Sequence, residues 1–348
     1  MNKKIVFIGG IGANLDFGGE LTKNKYLIDK LKSSGYEVIT IDTYQSRRKF
    51  WKLFKIPYLL ISNPGLPLIL STSFGNIYPL IKILHIIRTR RNITYFCIGG
   101  ILHERVLSGE FKSKYFDLFD QIYVEGKKMK DGLLRCGIRS VVLPNFKDIS
   151  YLPDLSRFKQ TGSHVNFVFV SRICKEKGVT LILEASKLLE GYSDHFSVSL
   201  YGQVESGYEN EFKSLLPSLK NVKYNGVLDL RSEAGYNELA SYDIMLFPTF
   251  WKGEGFPGVL IDALISGLPI IASDWNFNED IIENDKNGLI IPNQNLGALY
   301  DAMLFAIHNR DKFYQMSETC QKMAKIYDVN VVLNDALIGD LALHKYNI

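Results

Sequence analysis

Two carboxylates, Glu254 and Asp262, stand eight residues apart around the turn Gly255-Phe256-Pro257-Gly258. Carboxylates only accept hydrogen bonds, which suits them to ligand hydroxyls. The turn between them leads into an apolar-periodic segment that reads as a helix, with Pro257 at the first helical position, where a missing N–H costs nothing. The unpaired N–H groups of such a helix start, here around Phe256–Val259, and its dipole favour a phosphate. Upstream, Val170-Ser-Arg172-Ile-Cys-Lys-Glu-Lys177-Gly178 brings an Arg fork and a Lys point charge to the end of an apolar run. Together these two cations suit a diphosphate leaving group, while Lys175 reads as a solvated loop residue. The ligand this layout suits is a diphosphate with hydroxyl-bearing groups at each end, a nucleotide-sugar.

The elements that must hold these residues are short apolar runs separated by helical patterns. In the first half the expected strands are Ile5–Ile8, Val38–Ile41, Leu68–Ser71, Thr94–Ile98, Gln121–Val124 and Ser140–Leu143. A helix is expected from Leu21 to Ser34, closed by Gly35. In the second half the strands are Val165–Val170, Val198–Tyr201, Val222–Tyr224, Ile244–Phe247, Ile270–Ala272 and Gly288–Ile291. Strands alternating with helices imply parallel sheets covered on both faces. The fold class is therefore α/β, with two doubly wound Rossmann-like domains over 1–150 and 151–329, and ligands bound beyond the strand C-termini.

A chain of 348 residues suits two such domains, and 46% hydrophobic with 22% charged residues marks a globular protein. Four dispersed cysteines with no Cys-x-x-Cys imply neither a zinc site nor a disulfide framework, and suit a reducing cytoplasm. No cofactor and no metal are expected, and the chain has no Asp-x-Asp. The opening MNKKIVFIGGIGA imitates a signal peptide but reads as a first strand entering a Gly-rich loop. The uncharged stretch from Ile56 to Ile81 is long enough to span a bilayer, yet its prolines break a helix repeatedly. We expect a buried strand at Leu68-Ile-Leu flanked by loops.

Charge divides unevenly. Residues 1–150 hold 24 Lys and Arg against 12 Asp and Glu, a net of +12, whereas 151–348 carry −8. Arg47-Arg-Lys-Phe-Trp-Lys-Leu-Phe-Lys55 and Ile83-Leu-His-Ile-Ile-Arg-Thr-Arg-Arg91 interleave cations with apolar side chains, a pattern for an anionic membrane surface. With no nucleic-acid motif beside it, nucleic acid is not the expected partner.

The stretch from Phe247 to Asp274 resembles the donor site of retaining GT-B glycosyltransferases of the glycosyl transferases group 1 type, whose signature is Glu-x7-Glu. Here it reads Glu254-x7-Asp262, one methylene shorter at the second acid. The resemblance implies that Glu254 orients the sugar, Asp262 holds the ribose, and Arg172 and Lys177 grip the diphosphate with Gly255, Phe256, Pro257, Gly258 and Val259. Gly18-Gly19-Glu20 with Asn24 resembles the first-domain Gly-Gly loop, and Tyr224-Asn225-Gly226 falls where relatives seat the base. His103 stands roughly where some relatives have an acceptor-side His. The resemblance further implies two domains facing across a cleft and a last helix, 330–348, packed back on the first domain. It implies metal-independent transfer with retention, UDP as nucleotide, and a glycan or lipid-linked acceptor in capsule or O-antigen synthesis at the cytoplasmic membrane face.

Rival readings are a nucleotide-sugar epimerase or hydrolase on the same fold, a non-catalytic binding module, and an NAD(P)-dependent oxidoreductase. The last rests on Gly10-x-Gly12 and Asp42, although Leu15 takes the third glycine position.

Overall fold

The computed structural model describes residues 3–13, 18–45, 55–62, 65–87, 91–158 and 163–342. It has two compact units, Met1–Asp148 with Asp328–Ile348, and Ile149–Tyr327. In the first, strands β1 (Lys3–Gly9), β2 (Tyr36–Asp42), β3 (Leu68–Thr72), β4 (Ile93–Cys97), β5 (Gln121–Val124) and β6 (Val141–Val142) form a parallel sheet. Its order is β2-β1-β3-β4-β5-β6. β3 and β4 are buried along their whole length, as central strands of a parallel sheet covered on both faces are. The covering helices are α1 (Gly19–Ser33), α2 (Lys55–Ser62), α3 (Phe74–Ile86), α4 (Leu102–Leu107) and α5 (Lys127–Arg135). Helix α1 buries Leu27, Ile28 and Leu31, spaced to share one face, in the same core as Ile5 and Phe7 of β1.

The second unit carries β7 (Val165–Val170), β8 (Phe196–Tyr201), β9 (Val222–Tyr224), β10 (Ile244–Phe247), β11 (Ile270–Ser273) and β12 (Gly288–Ile291). Their order is β12-β11-β10-β7-β8-β9. Counted within the unit this is 3-2-1-4-5-6 read backwards, with strand order reversing between β7 and β10, where Ile244 pairs with Phe167 and Met245 with Val168. A ligand site lies by rule beyond the strand ends at that reversal. The helices are α6 (Val179–Leu188), α7 (Glu209–Leu215), α8 (Glu233–Ala240), α9 (Gly258–Ile265), α10 (Asn278–Ile281), α11 (Leu296–His308) and α12 (Arg310–Ala324). After Tyr327 the chain belongs again to the first unit. Helices α13 (Val329–Val332) and α14 (Asp335–Ala342), with Leu333 between them, bury Val329, Val332, Leu333, Ile338 and Leu341 in its core.

One expectation fails. β3 is flanked by helices, not loops. Pro57 falls in the first turn of α2, where its missing N–H is harmless. Pro79 lies inside α3 and costs roughly 3 kcal/mol there. Burial of Phe74, Ile77, Ile81 and Leu84 on one face offsets it. Among the described residues no helix is long and apolar enough to cross a membrane. The basic run from Arg47 up to Phe54, residues 88–90, and Leu15 lie outside the described residues.

Candidate active site

From Val170 at the end of β7 the chain passes Arg172 and a 3-10 turn, Lys175–Lys177, then enters α6 through Gly178 at φ 81°. A Cβ on Gly178 would lie 2.2 Å from the carbonyl oxygen of Pro248. Glycine alone therefore allows the loop after β7 to lie against the loop after β10. Phe250 N–H closes the contact by donating to the Glu176 carbonyl at 2.8 Å.

This approach places Lys177 Nζ in an ion pair with Glu254 Oε2, the two side chains only 6% and 9% exposed. The same oxygen accepts from Thr249 Oγ1 at 3.0 Å. The Glu254 carbonyl accepts from Asn276 Nδ2 at 2.8 Å, and Trp275 Nε1 donates to the Trp251 carbonyl at 2.8 Å. The loops after β7, β10 and β11 are thus one bonded frame. Over it lies the Trp251 ring, with the Arg172 guanidinium carbon 3.9 Å and Lys177 Nζ 4.9 Å from its centroid. Both cations sit at the strand-order reversal. Arg172 also pairs with Glu205 at 3.0 Å, with both side chains more than two-fifths exposed. An exposed pair of that kind contributes about 0–1 kcal/mol, so it holds Arg172 only weakly.

Helix α9 starts at Gly258, one residue later than the sequence suggested. Pro257 is its cap, in extended conformation (φ −73°, ψ 109°), held because Phe256 is buried against Tyr327 at 5.5 Å between rings. Leu260 N–H takes the Pro257 carbonyl at 3.1 Å. Asp262 lies one turn in, 3% exposed, and accepts from the Tyr236 hydroxyl of α8 at 2.8 Å. At the ends of β8 and β9, Tyr224 donates to the Gly202 carbonyl at 2.9 Å. Asn225 N–H bonds the Leu200 carbonyl, and Gly202 N–H bonds the Gly226 carbonyl. Much of the hydrogen-bonding capacity there binds the two strand ends together.

Cys174 Sγ and the carboxylates of Glu176 and Glu205 come within 4.8 Å of one another. Burial raises the Cys174 thiol pKa and so disfavours the thiolate a metal would need.

Gly18, Gly19 and His103 belong to the other unit. Gly18 caps α1 and Gly19 is its first residue. Asn24 is fully buried, donating to the carbonyls of Gly10 and Ser71. The Asp42 carboxylate, which a dinucleotide reading would give to a ribose, accepts from the N–H groups of Ile11, Gly12 and Tyr44. His103 is 6% exposed and packs on Gly132 of α5, where any Cβ would enter its ring. Its Nδ1 is buried with no hydrogen-bond partner among the described residues. Burial, foremost, lowers its pKa, against the attraction of Glu104, and the ring packs between α4 and α5.

Glu20, beside this loop, accepts from Gly10 N–H at 3.1 Å. Burial is the largest influence on it and raises its pKa. The bonds from Thr72 and Gly10 oppose that shift, while Glu125 and Asp42 add to it. The folded state thus binds the proton more tightly than the unfolded one, and stability falls as pH rises from the ordinary Glu value through the raised one. Glu20→Gln keeps the acceptor for Gly10 and removes the charge. Its melting temperature should exceed that of the wild type at pH 7 and match it near pH 4, as scanning calorimetry at both values would show.

Fold and site together define a class. This is a GT-B type of fold. Residues 164–309 match the family described as glycosyl transferases group 1. The chain is similar to the poly(ribitol-phosphate) alpha-N-acetylglucosaminyltransferase of Staphylococcus aureus, 24% identical over 48% of this chain and 32% of that one. It is also similar to the phosphatidyl-myo-inositol mannosyltransferase of Mycobacterium leprae, 24% identical over 66% and 58%. The chain therefore spans well under two thirds of the length of these curated relatives. Among solved structures, sucrose-phosphate synthase from Thermosynechococcus elongatus superposes with a TM-score of 0.77 at 13% identity over 98% of both chains. HepE of Anabaena, in complex with UDP and glucose, does so with 0.69 at 17% over 98% and 100%.

Proposed function

We propose that this protein is a metal-independent, retaining glycosyltransferase that moves a sugar from a nucleotide-diphosphate sugar, UDP-linked by preference, to a glycan or lipid-linked acceptor. The observation that carries the reading is the buried Lys177–Glu254 pair at the β7/β10 reversal, with Arg172 on the same Trp251 ring. Breaking the bond from the sugar to the diphosphate sends negative charge onto the phosphates. Arg172, Lys177 and the Gly258 and Val259 N–H groups are the donors at hand to stabilise it, the kind of term that dominates such catalysis. Glu254 accepts a sugar hydroxyl and orients the ring. Asp262, positioned by Tyr236, accepts from the ribose. UDP as nucleotide is supported by HepE, solved with UDP and glucose. Surface-polysaccharide synthesis is supported by the poly(ribitol-phosphate) transferase. The test is donor binding by calorimetry. Asp262→Ala should weaken UDP-sugar binding about tenfold, one lost charge-assisted bond, with kcat little changed, and Asp262→Glu should bind normally. Undiminished binding by Asp262→Ala would remove Asp262 from the site.

The first unit is proposed to rest on an anionic membrane surface. Tyr58 and Ile61 of α2 and Ile83, Ile86 and Ile87 at α3 are all more than half exposed, in a half of the chain with net charge +12. Arg91 is not part of the basic face, because its guanidinium donates to the carbonyls of Leu60 and Leu66. Replacing Ile61, Ile83 and Ile86 by Ser, with Arg47, Arg48 and Lys52 by Gln, should abolish sedimentation with phosphatidylglycerol vesicles. Unchanged sedimentation would refute the membrane role.

A further inference from the structure

The first unit has a cavity of about 460 Å³, within the range of ~300–1,000 Å³ usual for small-ligand sites. It is formed by the last turn of α4, the segment that follows as far as Lys114, and Cys136 just past α5. Helices between parallel strands run back along the sheet, so these helix ends lie at the edge where β4 and β5 begin. Asp120, which leads from this segment into β5, donates its N–H to the Ile93 carbonyl at the start of β4 at 3.0 Å. The cavity is thus at the edge opposite to the one where such sheets hold their ligands by rule.

Its lining is both apolar and cationic. Val106 and Phe111 are buried, Leu107 is 55% exposed, and Lys112 and Lys114 reach solvent. Among the described residues no carboxylate lines the cavity and neither lysine is in an ion pair. Glu110, two residues before Lys112, is taken by Arg105, which donates to both its carboxylate oxygens. Lys114 Nζ lies 5.3 Å from the Tyr115 ring centroid, and that ring lies 5.1 Å from His85 of α3. The wall therefore continues into the end of α3, where Ile83, Ile86 and Ile87 are more than half exposed. Leu134, two residues before Cys136, is more than half exposed as well. A soluble anion has no use for these apolar side chains, and a neutral ligand has no use for two cations without a carboxylate. An anion that carries apolar chains uses both.

We propose that this cavity seats the head of one anionic membrane phospholipid. The phosphate meets Lys112 and Lys114, and the first acyl carbons lie on Leu107 and Phe111. Lysine suits the place, because its apolar stem lies along the chains while its ammonium stays at the level of the phosphates. The site rests on the membrane reading above and deepens it, adding to a diffuse attraction for negative charge a saturable place for a single lipid.

Cys136 reports on the site directly. It is half-buried on the cavity wall, whereas Cys97, Cys174 and Cys320 are buried, so N-ethylmaleimide should alkylate it first, as peptide mass mapping would show. On the full chain, dihexanoyl phosphatidylglycerol, below its micellar concentration but well above its dissociation constant, should slow that alkylation at least ~5-fold. Glycerol 3-phosphate and inorganic phosphate, which lack the chains, should not slow it, nor should dihexanoyl phosphatidylcholine, whose headgroup has no net charge. Lys112→Gln with Lys114→Gln should abolish the protection, and Lys112→Arg with Lys114→Arg should keep it. The proposal is overturned if phosphatidylglycerol gives no protection, or if the glutamine variant is protected like the wild type. Equal protection by phosphatidylcholine, glycerol 3-phosphate or inorganic phosphate would overturn it too. A wild-type chain that fails to sediment with phosphatidylglycerol vesicles would instead count against the membrane reading, and protection of Cys136 would still decide the cavity.

Discussion

Lys177→Ala should lower donor turnover at least ~100-fold, the scale seen when one transition-state charge donor is removed. It should also destabilise the second unit by about 3–5 kcal/mol, because Glu254 would remain buried without its counter-charge. Glu254→Gln keeps the Thr249 bond and the loop but leaves Lys177 buried without its counter-charge, so it should lose a comparable share of both stability and turnover. The double variant Lys177→Met with Glu254→Leu removes both buried charges and should recover stability without recovering activity. Turnover is read as nucleotide release from the sugar donor, and stability by urea unfolding. A Lys177→Ala protein with wild-type turnover would remove the pair from the chemistry altogether.

The second large effect is expected at a residue with no functional group. Gly178→Ala places a Cβ 2.2 Å from the Pro248 carbonyl oxygen at a backbone φ of 81°. The strain alone costs about 1–3 kcal/mol, and relief requires the loops after β7 and β10 to separate. Lys177 is the adjacent residue, and a displacement on the order of 1 Å can cost ~100-fold in rate. We expect turnover to fall at least ~10-fold and the melting temperature to drop by several degrees. Gly191→Ala, where a Cβ meets nothing within 4 Å, should change neither. Turnover is read with the assay used for Lys177, and melting by calorimetry.

All twelve strands of the described residues were legible from apolar or β-branched runs bounded by turn residues, although β2, β6 and β9 are only partly buried. The helices beside β3 were not. Prolines argued against them locally, and only tertiary burial of Phe74, Ile77, Ile81 and Leu84 settles the matter. Within the site, Glu254, Lys177, Arg172 and Asp262 were marked by charge type and spacing. Their partners carried no such mark. Glu205 is 33 residues from Arg172, and Tyr236 is 26 from Asp262, distances at which a single sequence has no pairing signal. Trp251 and Trp275 meet across 24 residues for the same reason. Pro257 caps α9 because Phe256 is anchored on Tyr327, a contact 71 residues away in the chain.

The central claim is a donor site that uses the chain's own cations, and thermal shift tests it most directly. The wild-type chain is melted with UDP, GDP, CMP, NAD and NADP, each with EDTA and with Mg²⁺. A ligand bound only to the folded state raises the melting temperature by mass action. The account predicts a rise with UDP that is unchanged by EDTA and lost in Lys177→Met with Glu254→Leu. A rise with NAD or NADP alone would contradict it, as would a UDP effect that appears only with Mg²⁺.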